Sequence, residues 1–329
     1  MKKLSLLLCL FIVASLFSPL KSNAAQVKTE NPSNLYDNID LPELDKEKVD
    51  KLKEKLKKDK QKPVKQLSFA KMQKIINLKN GHASVSSQGE ILEGGKSVSL
   101  NGDNPFVIQD TGVDNRIKIT NTTVAPYNSM AQIDIWKGDT VGGSCSGTFL
   151  DADTVLTAAH CVYDTYNNKF NDGYWVWPGE NGTYLPYGGW SSTKAYVPVG
   201  WINSNPPDEG SVYLRDVQYD YAVIKVNSSH SYRLPISSTS GIGDSIYTHG
   251  YPGDKAPGNG YYYLYRSAGQ ISDVAYNAII HTGYVTSGMS GGAITISNSI
   301  RSVNSTVKWG AQFGSTHVNT INEWKNLSY

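Results

Sequence analysis

Cysteine is scarce in this sequence. There are three in 329 residues, at positions 9, 145 and 161, and the six histidines are scattered with no metal-ligand spacing. Neither a metal site nor a cofactor is therefore expected. A basic stripe is missing as well. Residues 1–106 carry 18 Lys+Arg against 12 Asp+Glu, residues 107–329 carry 13 against 17, and the formal +2 of the whole hides a basic front and a mildly acidic body. Such a body has nothing to hold a nucleic acid. Membrane-length apolar runs are lacking too. Residues 4–17 are apolar, but they follow Met1-Lys2-Lys3, precede Pro19 and Ser22-Asn23-Ala24-Ala25, and fall short of the ~20 residues a spanning helix needs. Residues 1–24 read instead as a secretory signal peptide. Its removal takes Cys9 and leaves Cys145 and Cys161 in an exported chain, where a single disulfide is expected. The body has no internal repeat and no low-complexity tract.

What is present suffices for a substantial core, with 39% hydrophobic and 11% aromatic residues. Residues 26–66 are rich in lysine and glutamate. Leu44, Val49, Leu52 and Leu56 give a narrow helical stripe there, with Glu47 and Lys51, and Glu54 and Lys58, as i,i+4 pairs. Phe69, Met72, Ile75 and Ile76 form a second short amphipathic stretch that stops at Asn80-Gly81. Residues 25–106 are accordingly read as a charged prosegment. Beyond residue 117 the pattern becomes short β-prone runs between Gly, Pro, Asn and Asp turns: 131–136, 174–177, 195–197, 221–226, 245–247, 261–265, 278–280, 293–296 and 309–313. That spacing predicts an all-β sandwich or pair of barrels. Ile321, Trp324 and Leu327 recur at helical spacing and predict a docked helix over 317–327.

One stretch of the body makes a poor core strand. Ser287-Gly288-Met289-Ser290-Gly291-Gly292-Ala293 sets a small hydroxyl residue among glycines. A serine is a weak nucleophile that needs a base for its proton and backbone donors for the oxygen that turns negative. Glycines on either side allow a sharp turn and let a carbonyl approach the amides of Gly288 and Ser290. An ordinary Gly/Ser turn would look the same, so the chain must also supply a histidine and an acid. Thr157-Ala158-Ala159-His160-Cys161 follows the strand-like Thr154-Val155-Leu156 and sets His160 beside the expected bridge, which would restrain the unfolded chain by about 3 kcal/mol. Asp220 stands at the mouth of Asp220-Tyr221-Ala222-Val223-Ile224. A buried acid there needs a partner, and the Nδ1–H of a histidine would serve and also fix the ring tautomer. Asp216 is the competing acid, but the strand starts only at Tyr221.

In the order His160, Asp220, Ser290, these motifs resemble the chymotrypsin-like serine peptidases. The chain is more closely similar to the bacterial glutamyl endopeptidase branch of staphylococci and bacilli. Thr120-Asn121-Thr122-Thr123, Cys161-Val162-Tyr163-Asp164-Thr165, Pro178-Gly179-Glu180-Asn181-Gly182-Thr183 and Gly250-Tyr251-Pro252-Gly253-Asp254 carry that likeness. It covers residues 107–329. It implies a trypsin-like domain of two six-stranded antiparallel β-barrels with a C-terminal helix and a site in the cleft. Ser290 would attack a peptide carbonyl, His160 would move the proton, Asp220 would orient the imidazole, and the amides of Gly288 and Ser290 would hold the oxyanion. The resemblance further implies a monomeric zymogen secreted by a Gram-positive bacterium. Its body would begin between Asn101 and Asp114, with Val107 the best single position. The expected partners are protein or peptide substrates and, before maturation, the prosegment, with no membrane contact once the signal is gone.

The chain departs from the family pattern in two places. Digestive members have an aspartate before the nucleophile that pairs with the new N-terminus, and here that residue is Met289. Glutamate-preferring members have a histidine on the strand after the nucleophile and a serine or threonine five residues before it. The alignment sets Gln312 and Val285 there as specificity-pocket candidates, with His317 near enough for a small shift in pairing to bring it in, so the departure bears on glutamate preference and not on peptidase activity. Among rival folds, an α/β-hydrolase elbow needs an acid and then a histidine after the serine, and no Asp or Glu lies between Ser290 and His317. Asp110-Thr111-Gly112 resembles an aspartic-protease or subtilisin motif but has no matching second motif. A non-catalytic binding protein on the same scaffold and a narrowly specific toxin-like peptidase are the competing functions. His82 falls in the prosegment, and His230, His249 and His281 have no motif partner and are read as structural or exposed.

Overall fold

The computed structural model describes residues 81–92 and 112–329, except 207 and 240, together with positions 47, 50–52, 54 and 68. The expected signal peptide, most of the prosegment and the expected start at Val107 lie outside the described residues. A hairpin of β1 (Ser84–Ser86) and β2 (Ile91–Leu92) comes first, followed by the short β3 (Ile117–Lys118). Next come β4 (Met130–Lys137), β5 (Thr140–Phe149), β6 (Thr154–Thr157) and the small hairpin β7 (Tyr163–Asp164) and β8 (Lys169–Phe170). They are followed by β9 (Gly173–Pro178), β10 (Trp190–Ser192), β11 (Lys194–Pro198) and β12 (Ala222–Lys225).

These strands close into a barrel. β4 pairs with β5 and β9, β5 with β6, β6 with β12, β12 with β11, and β9 with β10, all antiparallel. Only Thr193 separates β10 from β11, so the two are halves of one bent strand that seals a six-stranded ring. Alternation along β4 shows why the sequence builds it. Ala131, Ile133 and Ile135 join the barrel core with Phe149, Val155 and Ile224. Gln132 and Asp134 take the opposite face. They are buried there, but bonded: Gln132 Nε2 donates to Asp134 Oδ1 at 2.9 Å and Trp177 Nε1 to Asp134 Oδ2 at 2.9 Å.

The second ring uses β13 (Ser245–Gly250), β14 (Tyr265–Ala275), β15 (Ala278–His281), β16 (Ala293–Ile296), β17 (Ser299–Val303) and β18 (Trp309–Ala311), hydrogen-bonded in the order β17-β16-β13-β14-β15-β18. A bridge between Asn304 and Gly310 and a 2.7 Å bond from Ser302 Oγ to the Ala311 carbonyl join its two ends. The expected pair of six-stranded barrels is therefore present. Ile246, Ile271, Ile279 and Ile294 fill the second core.

A shared apolar seam joins the rings, with Leu156, Tyr221 and Val223 of the first meeting Tyr251, Leu264, Val303 and Phe313 of the second. After the short helix α1 (Val199–Ile202) within the first barrel, the only other α-helix of residues 112–329 is α2 (Ser315–Lys325). Ile321 and Trp324 of α2 are buried in the seam, as the helical spacing predicts, while Leu327 lies just past the helix end. The fully buried Lys225 closes that end: its Nζ donates to the Lys325 carbonyl at 3.2 Å, to Asp153 at 2.7 Å and to Thr154 Oγ1 at 2.7 Å. Those partners and the negative end of the helix dipole compensate a charge that would otherwise be costly to bury.

Within the body the strand pattern misses β5, β10 and β17, the two-residue β3, β7 and β8, and most of β14. It also reads a strand over 261–265 where only its last residue belongs to one. β5 carries Gly142, Gly143, Ser144, Ser146 and Gly147, residues of low β propensity, and owes its pairing to two neighbouring strands rather than to its own side chains.

Candidate active site

The first barrel supplies the histidine and the acid. β6 ends at Thr157 and the chain turns through a 3₁₀ segment, Ala159–Cys161, that carries His160. A disulfide from Cys161 to Cys145 on β5, Cα–Cα 6.2 Å, anchors this turn. A second 3₁₀ segment, Leu214–Tyr219, delivers Asp220 at the foot of β12. Because β12 pairs with β6, with Ala222 opposite Thr157, the two turns leave the sheet side by side.

The contact between them is double. Asp220 Oδ1 accepts the main-chain N–H of His160 at 2.9 Å, and Oδ2 faces His160 Nδ1 at 2.8 Å. Ser305, just past β17, donates its hydroxyl to Oδ2 as well. An ionised carboxylate only accepts, so Nδ1 carries the proton and Nε2 is left with its lone pair. Asp220 is 1% exposed, whereas the His160 side chain is one-third exposed, at 33%. Burial pulls the His160 pKa down, but the Asp220 charge and hydrogen bond outweigh it and hold the value above 6.5. The rival acid is committed elsewhere: Asp216 accepts from Ser204 Oγ at 2.7 Å and lies 3.7 Å from Arg215.

The second barrel supplies the serine loop, which both barrels pin. Ser146, next to Cys145, donates its N–H to the Ser290 carbonyl at 2.7 Å and its hydroxyl to the Gly288 carbonyl at 2.8 Å, while accepting the Tyr251 N–H at 2.8 Å. From the other side Asn304 accepts the Gly291 N–H at 2.8 Å and donates Nδ2 to the Met289 carbonyl at 3.1 Å and the His249 carbonyl at 2.9 Å. Gly291 has φ +78°, and a Cβ there would come within 2.1 Å of Thr157 Oγ1 and 2.7 Å of the Ala158 nitrogen. Only glycine fits, and the fit sets Ser290 beside the strand end that leads to His160. The Met289 N–H turns back to Thr286 O at 3.0 Å. Among the described residues, the N–H groups of Gly288 and Ser290 on either side donate to no protein group.

A family profile described as a trypsin-like peptidase domain matches residues 145–298. The Bacillus licheniformis protein named glutamyl endopeptidase is 34% identical over 160 residues, 47% of this chain and 46% of that protein. The Bacillus subtilis protein named extracellular metalloprotease is 34% identical over 155 residues, 45% of this chain and 46% of that protein. The match thus spans a little under half the length of these curated relatives. A solved structure of Glu endopeptidase in complex with MPD is 33% identical, with 66% of this chain and 99% of that chain covered and a TM-score of 0.57. The chain belongs to the chymotrypsin-like serine peptidases.

In this trypsin-like peptidase Asn304, just past β17, bonds to the serine loop, while Gln312, just past β18, is half-buried. The Gln312 N–H bonds to the Asn277 carbonyl. Val285 is 3% exposed, five residues before Ser290. His82, His230, His249, His281 and His317 are all buried, in keeping with structural roles. Met289 is fully buried where digestive relatives hold an aspartate. Nearby, Arg116 binds the loop that precedes the serine. Its guanidinium donates to Thr286 Oγ1 at 2.7 Å, to both Asp254 oxygens at 2.8 and 2.6 Å, and to Asp114. That hydrogen bonding lowers the Asp254 carboxyl to about 2. Ser146, Ser305, Asn304 and Arg116 all escape a motif reading. Only Ser146 sits in a conspicuous stretch, the small residues around Cys145. A grouping of His160 with Cys145 and Cys161 has metal-ligand proximity, but both sulfurs are spent on the disulfide and one donor remains.

Proposed function

We propose that this protein is a secreted serine endopeptidase that works through Ser290, His160 and Asp220. Ser290 Oγ attacks the peptide carbonyl as its proton passes to His160 Nε2. The oxyanion that forms is held by the N–H groups of Gly288 and Ser290, a term worth about 3 kcal/mol per donor. Collapse expels the amine with the proton from His160 and leaves an acyl-enzyme. A water activated by the same imidazole then releases the acid and restores Ser290. Asp220 stays ionised, holds the tautomer and stabilises the imidazolium. The observation that carries this reading is the 2.8 Å contact between His160 Nδ1 and a carboxylate that is 1% exposed and hydrogen-bonded on both oxygens.

The working unit in this proposal is residues 107–329, made as a zymogen behind a signal peptide over 1–24 and a prosegment over 25–106. It is exported by a Gram-positive bacterium and acts as a monomer on proteins or peptides. The name of the Bacillus licheniformis relative states a glutamyl preference for that protein. For this chain we infer none, because Val285 is apolar and Gln312 can donate hydrogen bonds but carries no positive charge. Neither can neutralise a substrate carboxylate, whose unpaired burial is costly. A peptide library digested by the wild type and by Ser290→Ala tests both parts. The expected outcome is cleavage by the wild type alone, with no preference for Glu over Gln before the scissile bond. Equal turnover by the two proteins would refute the mechanism, and a strong Glu preference would refute the pocket assignment alone.

A further inference from the structure

The hairpin at residues 81–92 lies upstream of the expected cut at Val107, yet it is built into the first barrel. β1 pairs antiparallel with the outer edge of β11, Val85 opposite Val197 and Ser86 opposite Tyr196, and the sheet runs on into β2. Beyond the ladder, body amides also spend their hydrogens on it. Val199 N–H donates to Ala83 O at 2.5 Å, Gly200 N–H to Gly81 O at 2.7 Å, and Ala195 N–H to Ser87 Oγ at 2.9 Å. The Ser87 N–H and hydroxyl return the exchange to Ala195 O at 2.9 Å and Thr193 O at 2.6 Å. Tyr196 OH donates to Glu90 at 2.9 Å.

Side chains deepen the seat. His82, Ala83, Ser84, Val85, Ser86 and Ser87 are each no more than 5% exposed, and Ala83 and Val85 belong to the barrel core. His82 Nδ1 is 2.8 Å from Tyr221 OH, and its ring meets the edge of Tyr219 at 5.2 Å and of His317 at 4.7 Å. Tyr219 and Tyr221 flank Asp220, so the segment backs the stretch that presents the acid. Departure of the hairpin would expose a strand edge, open the core and leave buried polar groups without partners.

We propose that residues 81–92 stay seated on β11 after the leader is severed, so that the working enzyme is a two-chain body in which a strand of the prosegment is a permanent part. This rests on the reading of residues 25–106 as a segment cut away from the body. The test does not depend on where the natural cut falls. A site-specific protease sequence is placed in the full chain between residues 96 and 101, the chain is cut, and the product is run on native gel filtration with mass spectrometry of the peak. The expected result is co-elution of the two pieces, with a dissociation constant of about 1 µM or tighter. Slow amide exchange at Ala195, Val199 and Gly200 should persist in the cut protein. Separation of the pieces in native buffer, or fast exchange at those three amides, would overturn the proposal. Ser290 reactivity toward a fluorophosphonate, read on the same sample, reports on the proteolytic mechanism independently, so the two ideas can fail separately.

Discussion

The two barrels share an architecture but hold their contributions to the site by different means. The first presents His160 on a turn covalently tied to β5 and ties it to a buried carboxylate with two hydrogen bonds, one from the main chain and one from the ring. The second presents Ser290 on a glycine-rich loop with no covalent tie, held by hydrogen bonds from Ser146 in one barrel and Asn304 in the other. In the proposed mechanism the proton-transfer pair is therefore set chiefly by the first barrel, with Ser305 of the second also bonded to Asp220, whereas the nucleophile depends on the seam. Covalent closure constrains one half, and inter-barrel packing constrains the other.

Substitutions can break this asymmetry, and the largest effects fall on the chemistry. Ser290→Ala or His160→Ala should each lower kcat by about 10⁶-fold, with the double variant no worse than either, because the two act as one unit. Steady-state kinetics on a fluorogenic peptide would measure this. Asp220→Asn should leave the fold intact but cost about 10⁴-fold in kcat, since the amide cannot impose the Nδ1–H tautomer. Unchanged turnover would mean that the carboxylate is only structural.

Smaller effects should separate the barrels by stability. Replacing Cys145 and Cys161 together by alanine should cost about 3 kcal/mol in urea unfolding and loosen exchange around residues 159–161. Asn304→Ala removes the amide that holds the Met289 and His249 carbonyls, a loss of about 2 kcal/mol, while the Gly291 bond to the main-chain carbonyl of residue 304 remains. It should lower Ser290 labelling without altering the His160 titration. The smallest expected effect is on pH. The His160 pKa is raised in the folded protein, so kcat/KM should climb through an acid limb whose midpoint lies above 6.5. The linked stability runs the other way, being fully present below the unfolded-state value and lost as pH rises through the folded one. Both can be followed by NMR of the imidazole, and a midpoint below 6.5 would mean that burial dominates over Asp220.

Much of this was legible in the sequence, because the chemistry constrains it locally. His160 follows a strand and adjoins a cysteine, Asp220 opens an apolar run, and Ser290 sits among glycines that only a tight turn explains. An all-β body followed from strand runs at turn-punctuated intervals, the paired barrels from the family resemblance, and α2 from Ile321 and Trp324. The supports were not legible. Ser305 and Asn304 act on residues far away in sequence, so no local pattern marks them. β5 was hidden by glycine and serine that suit a paired interior strand as well as a loop. The hairpin at 81–92 was hidden by its place in a leader, although Ala83 and Val85 complete the core as fully as residues of the body.

The central claim is that Ser290 is activated by the His160–Asp220 pair. Mass spectrometry after fluorophosphonate treatment of the processed protein at neutral pH tests it most directly. The account predicts one adduct, on Ser290, whose formation is abolished in His160→Ala and strongly slowed in Asp220→Asn. An unlabelled Ser290 in correctly processed protein, or labelling that proceeds at the same rate without His160, would contradict it.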